Sequence, residues 1–439
     1  MNTALTLGPA STRLSMDQTP APPVAGPGLL TGWYETGAPA DLVEHHRRYG
    51  RLPIAGRPGR PARLIDEVTA AGLRGRGGAG FPTARKLAAV AAAGRRPVVV
   101  ANGCEGEPAS AKDAALLSVA PHLVLDGSVL AAHALGALEV ILCIHQGAAA
   151  ARTLPSVIAE RHDPVPVRLV EVPARYVASE ASALVHFLNC GDARPTTSPP
   201  RASQQGVNGR PTLVDNVETL AHLALIARFG ASWFRSTGTP QLPGTLLITL
   251  GGAIRRPGVY ELAGGTTLGT ALQHAGGPTT PVQAVLTGGY AGNWLTVPKS
   301  LDVPLCQEGP PTTGSALGVA VLLALPRTAC GLAQTAHLLR YLAAQSTKQC
   351  GPCTFGLPAI ATDLTDLVAG HPSAPAALER LHRRLGVIPG RGACAHPDGA
   401  ARLTTSALQT FATDLHHHIH GYPCPAAGDP PLFPIPGRH

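Results

Sequence analysis

The chain has 439 residues, enough for two or three domains with sizeable cores, and its 44% hydrophobic content excludes global disorder. Aromatic residues make up only 4%. Of the 35 basic residues only Lys86, Lys112, Lys299 and Lys348 are lysine, so the net charge of +8 forms no basic, ring-bearing stripe and argues against a nucleic-acid partner.

Residues 1–30, rich in Thr, Ser, Pro and Ala, lack the basic and apolar regions of a signal peptide and read as a disordered tail. Residues 31–240 alternate helical patterns with short β-branched runs. Strands are expected at 97–101 and 140–144, with a helix at 122–138 between them, which suggests α/β layers. Residues 241–326 read as a small β-grasp module. Its strands are expected at 245–250, 258–262, near 284–286 and at 319–323, with a helix at 268–274 closed by Gly276-Gly277. Residues 327–421 carry four apolar stripes at helical spacing, led by Leu332, Leu357, Leu378 and Ala407, as in a four-helix bundle. Residues 422–439 read as a loose Pro-rich tail. No run reaches the ~18 apolar residues of a transmembrane helix; the longest, 316–325, reads as a buried strand.

Four motifs carry chemistry. In Arg74-Gly75-Arg76-Gly77-Gly78-Ala79-Gly80-Phe81-Pro82-Thr83, four glycines in six residues let amide N–H groups converge on an anion, with Arg76 and Lys86 as cations and a helix expected at 83–92. The bland alternative is an ordinary Arg/Gly loop. Next, Asn102-Gly-Cys-Glu-Gly-Glu-Pro108 follows a strand directly, where α/β folds place ligands. Glu105 and Glu107 suit ribose or ribityl hydroxyls or an amide, against the alternative of a solvated acidic turn. Lys112-Asp113 reads as an ordinary surface ion pair. The third motif, 208–219, brings Asp215, Asn216 and Glu218 into the start of a helix, and capping explains only one of them.

The fourth motif is Cys350-Gly-Pro-Cys353 with Cys394 some forty residues on, all three on loops between the helices. Nine cysteines in so long a chain are no disulfide scaffold, so a reducing, cytoplasmic compartment is the expectation and clustered thiols point to metal. Three thiolates suit an iron–sulfur cluster or part of a zinc site, and a Cys-x-x-Cys pair also suits redox exchange. Cys143, Cys190, Cys306, Cys330 and Cys424 show no spacing and read as small buried residues. The histidines at 416, 417, 418 and 420 read as a solvated helix end.

Taken together, these motifs resemble the family of flavin-bearing, NADH-oxidising subunits of respiratory complex I, with similar subunits in soluble NAD-linked hydrogenases and formate dehydrogenases. The resemblance runs from about residue 32 to 421. It implies an α/β FMN and NADH domain, a β-grasp soluble-ligand-binding domain and a four-helix bundle holding an iron–sulfur cluster, in that order. The Gly-rich loop with Phe81 and Lys86 matches the family's flavin loop, and Asn102, Glu105, Glu107, Lys112 and Asp113 match its next motif. Tyr176 and Glu180 match a tyrosine–glutamate pair, and Asn216 with Glu218 the segment beside the flavin ring. By this resemblance the phosphate rests on the N–H groups of Gly75, Arg76, Gly77, Gly78 and Gly80. Asn102, Glu105, Glu107 and Asn216 hold the ribityl chain and ring, and Glu105 and Glu180 flank the nicotinamide.

The chain also departs from the family pattern. Cys104 replaces an aspartate and Ala181 a glutamate; of the family's aromatics that stack the nicotinamide nucleotide Phe81 remains, while the counterparts of two others fall near Ala89 and Arg201 and are replaced. Cys350, Cys353 and Cys394 fit three cluster ligands, but one thiolate is missing: in one register the first ligand falls on Thr347, and in a shifted register the third falls on Gly356. The resemblance then implies a [4Fe–4S] cluster with His396 or a water as substitute ligand, or a [3Fe–4S] cluster. The implied reaction takes a hydride from NADH onto FMN and releases electrons singly to the cluster. A two-iron subunit or a ferredoxin is the implied partner, with the chain cytoplasmic or held to a membrane face through partners. The alternatives are an electron-transfer subunit without NADH oxidation and a non-redox zinc-containing binding protein.

Overall fold

The computed structural model describes residues 4–6, 13–15, 27–54, 57–197, 199–306, 317–370, 372–422 and 424–436. Two short strands, β1 (Ala4–Thr6) and β2 (Arg13–Ser15), pair antiparallel. The expected disordered tail otherwise lies mostly outside the described residues. Its last residues depart from that expectation: Leu29 and Leu30 are buried and donate their N–H groups to the Glu261 carboxylate at 3.0 and 2.9 Å.

A four-stranded parallel sheet organises the first half. Its strands are β3 (Val98–Asn102), β4 (Val140–His145), β5 (Val167–Val172) and β6 (Thr212–Asn216), in the order β5-β4-β3-β6. The runs Val98-Val-Val-Ala and Val140-Ile-Leu-Cys-Ile are buried throughout, as befits strands covered on both faces. From β3 the chain steps outward through β4 to β5, then returns to β6 on the other side of β3. The carboxyl ends of β3 and β6 therefore form a topological switch point, the crevice where open α/β sheets bind ligands. There Asn102 and Asn216 lie side by side in register.

Helix Pro121–Leu135 is buried along its length and packs on helix Val217–Arg235. A Cβ at Gly127 would fall 1.7 Å from the Leu220 carbonyl oxygen, so only glycine allows this approach. The buried Asp126 carboxylate joins Arg161, Arg228 and His45 across that layer.

The second sheet is mixed and five-stranded. β7 (Thr245–Gly252), β8 (Gly258–Ala263), β9 (Val282–Thr287), β10 (Asn293–Thr296) and β11 (Val321–Pro326) take the order β10-β9-β11-β7-β8, with helix Leu268–His274 beside them. The short β10 is absent from the sequence expectation, because four residues between a glycine-rich turn and the turn at Pro298 carry no periodicity.

Five helices follow: Gly331–Ala344, Leu357–Val368, Ala374–Val387, His396–Thr410 and Ala412–Ile419. The expected fourth stripe is two helices. At Phe411 the backbone leaves helical geometry (φ −105°, ψ 40°), and the ring packs 5.1 Å from Trp294, in space left by the bare Cα of Gly331.

The expectation of a loose C-terminal tail is also corrected. Phe433 is buried beside Trp294, and Gln334 binds both Pro430 O and Leu432 N–H. Tyr290 donates its hydroxyl to Pro434 O. Prolines donate no N–H, but their carbonyls are acceptors, and the helix below satisfies them. Among the described residues no single helix is long and apolar enough to cross a membrane.

Candidate functional site

The Gly-rich loop closes on itself before helix Thr83–Ala91. Gly75 N–H donates to Phe81 O at 2.9 Å and Thr83 N–H to Leu73 O at 3.0 Å, while Gly78 and Gly80 take φ of 103° and 62°. Arg76 N–H is taken by Thr219 Oγ1 at 2.8 Å. The N–H groups of Gly77, Gly78, Ala79 and Gly80 meet no acceptor among the described residues. Four successive unpaired donors on a loop leading into a helix are the kind of donor set a flavin phosphate takes, so the residues present fit that group.

Arg76 corrects the sequence expectation. Its guanidinium is buried and turned away from the loop, donating to Thr245 O at 3.0 Å and Pro243 O at 3.3 Å, with Glu218 at 3.9 Å. It ties the loop to β7 and offers no charge to a ligand. Lys86 is one-third exposed and reaches Val214 O at 3.1 Å and Asp215 Oδ1 at 3.0 Å at the end of β6. Phe81 is exposed with the Arg85 guanidinium 5.4 Å from its ring centre.

At the switch point the predicted polar residues sort into braced and open. Asn102 donates to Ser179 O at 2.9 Å and accepts from Cys104 N–H. Asn216 donates to Asp113 Oδ2 at 2.6 Å and caps the following helix by accepting Glu218 N–H. Glu107 is buried and accepts from the Tyr290 N–H at 2.8 Å and from the Tyr176 hydroxyl at 3.4 Å. Glu105 keeps contact with solvent. Burial first, then the charge of Asp113, pushes its carboxyl up to about 7, so at neutral pH it both donates and accepts. Glu180 caps helix Ala181–Cys190 through the N–H groups of Ser182 and Ala183 and is exposed. Cys104 is buried, and burial with nearby Cys143 raises its thiol far above the usual range.

Lys112 is no surface residue. It is fully buried, 2.6 Å from Asp113 Oδ1 and 3.0 Å from Glu218 Oε2. Burial opposes its charge, but the carboxylates outweigh burial and hold its pKa above the ordinary lysine value. The Ala-rich neighbourhood of Lys112 is the sequence signal that would have exposed this cluster.

The thiols of Cys350, Cys353 and Cys394 are mutual neighbours. Burial, then Cys350 and Cys394, pushes Cys353 up to about 11. His396 Nε2 lies 2.8 Å from Leu342 O; a carbonyl only accepts, so Nε2 carries the proton and Nδ1 the lone pair. That Nδ1 is buried and has no hydrogen-bond partner. Tyr176 joins the two centres: its hydroxyl meets Glu107, and its ring lies 5.3 Å from that of His396, two residues past Cys394.

Residues 68–225 match the family described as the Nuo51 FMN-binding domain, 247–289 the SLBB domain, and 333–418 the NADH-ubiquinone oxidoreductase-F iron-sulfur binding region. The F 2 subunit of NADH-quinone oxidoreductase in Rhizobium meliloti is 32% identical over 384 residues, 83% of this chain and 90% of that one. The chain belongs to the family of NADH-quinone oxidoreductase F subunits. The F subunit of Escherichia coli is 32% identical over 380 residues, covering 82% of this chain and 85% of its own. Among solved structures, the air-oxidised NAD+-reducing [NiFe]-hydrogenase superposes with a TM-score of 0.78 at 31% identity, over 91% of this chain and 68% of that one. The chain is thus an oxidoreductase subunit of NADH-dehydrogenase type, with FMN and an iron–sulfur cluster as its cofactors and a mixed α/β fold that includes an SLBB domain.

In this member of the NADH-quinone oxidoreductase family, Glu107 gives stability a pH signature. Burial, reinforced by Glu105, raises its carboxyl from 4.5 to about 8. Between those values the folded chain keeps a proton that the unfolded chain has released. Its contribution is therefore complete below about 4.5 and lost as pH rises through about 8. The fall in thermal midpoint from about pH 5 to about pH 8 should be shallower in Glu107→Gln; equal slopes by calorimetry would reject this assignment.

Proposed function

We propose that residues 31–240 hold FMN at the β3/β6 switch point and that residues 327–421 hold the cluster through Cys350, Cys353 and Cys394, with residues 241–326 between them as the β-grasp part. The observation that carries this reading is the Tyr176 link, a short contact path from Glu107, just past the end of β3, to His396, two residues past Cys394. When bound, FMN supplies hydride acceptance and one-electron release. The N–H groups of Gly77, Gly78, Ala79 and Gly80 receive the phosphate, with Lys86 exchanging Asp215 for it. Gly75 and Arg76 keep the loop closed. Asn102, Asn216 and Glu107, braced by protein partners, hold the crevice open to one shape, and Glu105 donates to or accepts from the ligand at its carboxyl.

His396 Nδ1, buried, without a partner and two residues past Cys394, takes the place of the absent thiolate in this reading. Its tautomer is already set by the Leu342 carbonyl, the outer-shell arrangement that orients ligating imidazoles. A neutral nitrogen in place of a thiolate raises a cluster's potential. Electrons leave to a partner subunit carrying its own centre, of the two-iron or ferredoxin kind, and the chain works in the cytoplasm or on a membrane face through such partners.

The test is an anaerobic preparation with its visible spectrum. Flavin bands with a broad brown shoulder are expected, and NADH should bleach the flavin within seconds. Persistent yellow colour with NADH would leave an electron-transfer role without NADH oxidation, and a colourless protein would remove the proposal. Cys353→Ser should lose the shoulder and keep the yellow; a surviving shoulder rejects the ligand set.

A further inference from the structure

We infer that Cys330, His418 and Cys424 form a mononuclear zinc-type metal site, separate from the iron–sulfur centre. The three residues are far apart in sequence. Cys330 caps helix Gly331–Ala344, His418 lies in the last turn of helix Ala412–Ile419, and Cys424 opens the C-terminal segment. In the fold their donor atoms all lie within 4.8 Å of one another, with Cys330 Sγ 3.3 Å from His418 Nε2.

That spacing selects the kind of occupant. Around a tetrahedral ion with Zn–S of about 2.3 Å and Zn–N of about 2.0 Å, donors stand about 3.5–4 Å apart. A cluster places its thiolates on separate irons and spreads them more widely. Two thiolates and one imidazole are a soft set suited to Zn(II). Two of the three donors also fall outside residues 333–418, the stretch matching the iron–sulfur binding region.

The surroundings fit a built site. Cys330 and His418 are each 2% exposed, and Cys424 is half-buried, which leaves a fourth position for solvent. The Val368 backbone faces the His418 ring, the side from which an outer-shell acceptor orients a ligating histidine. A capping contact from Ala333 N–H to Cys330 Sγ at 3.4 Å accounts for that cysteine alone; it gives no reason for His418 and Cys424 to converge on it. Binding displaces the two thiol protons. The bound ion would pin residues 424–436, which carry Phe433 into the core, to the first helix of the cluster-binding part.

The test measures zinc, iron, sulfide and flavin per chain in the full-length protein, prepared without chelators or a metal-affinity step. The parent should hold zinc at one per chain. Cys424→Ser and His418→Ala should each lower zinc roughly tenfold or more, with iron, sulfide and flavin at parent levels, while Cys353→Ser should lose iron and keep zinc. Protein that has lost zinc but kept its iron and sulfide, given Co(II), should develop a thiolate-to-cobalt charge-transfer band that Cys424→Ser lacks. Cys424 lies in the terminal segment, and a cooperative unfolding transition in that variant separates metal loss from misfolding. A parent without zinc or a cobalt band, a Cys330–Cys424 disulfide found by peptide mapping, or iron lost together with zinc would each overturn the assignment.

Discussion

Replacing Lys112 with methionine is expected to lower the unfolding free energy by about 3–5 kcal/mol, the cost of leaving buried charges without their partner. Asp113, 2.6 Å from the ammonium, would remain buried with no cation, and Glu218, 3.0 Å from it, would keep only the Arg76 guanidinium at 3.9 Å. The side chain itself fits an apolar replacement, so the loss is electrostatic. Adding Asp113→Asn and Glu218→Gln should therefore recover a large part of it. Because Asp113 Oδ2 holds the Asn216 amide and Glu218 Oε1 accepts the Leu247 N–H, the single variant should also weaken flavin retention. Chemical denaturation at neutral pH reads the first effect and the flavin-to-protein ratio the second. An unchanged midpoint in Lys112→Met would remove the ion cluster from the account of stability.

Gly78→Val is expected to empty the flavin site while the rest of the chain stays folded. At φ 103° a β-branched residue is strained by about 1–3 kcal/mol. The added Cβ would also press on Val319 Cγ1 at 3.2 Å. Relieving that strain moves the unpaired N–H groups of the loop, and at 1.4 kcal/mol per decade the affinity for FMN should fall about ten- to hundredfold. Gly75→Ala is the control: its Cβ would meet Phe81 O at an ordinary 3.4 Å, and flavin binding should persist. Fluorescence quenching of added FMN measures both, and equal affinity in the two variants would place the phosphate elsewhere.

The contrast between the Gly-rich loop and Arg76 shows how far residue patterns reach. Glycine clustering points to a backbone-lined anion site, because bare Cα atoms let adjacent amides turn toward one ligand, and the N–H groups of Gly77 to Gly80 do stay unpaired among the described residues. Which amides stay open is another matter. Gly75 and Arg76 are closed by Phe81 O and Thr219 Oγ1, and Thr219 lies 143 residues from Arg76. Likewise Glu180 carries a family motif but serves as a helix cap, a role set by where the chain turns after Ser179.

Strands β3 and β4 and the helices are legible as apolar runs and 3.6-residue stripes, since burial of contiguous local surface writes itself into local periodicity. β5, half-exposed at the sheet edge, and the four-residue β10 bury too little to leave such a pattern. The C-terminal segment is misread for a related reason: its order comes from Gln334, Tyr290 and Trp294, none of them nearby in the chain.

By itself, then, the order of residues determines the family, the cofactor classes and the α/β and helical parts, since their motifs and stripes run over neighbours within a few positions, and it offers the loop and the three cysteines proposed to carry the chemistry. Tertiary structure alone decides which polar groups remain available. It buries Lys112 between two carboxylates, turns Arg76 from the loop to β7, frees Nδ1 of His396, and draws Cys330, His418 and Cys424 to within 4.8 Å. The reason is physical. A hydrogen bond or metal bond is satisfied by distance in space, and contacts separated by tens of residues follow from how layers pack.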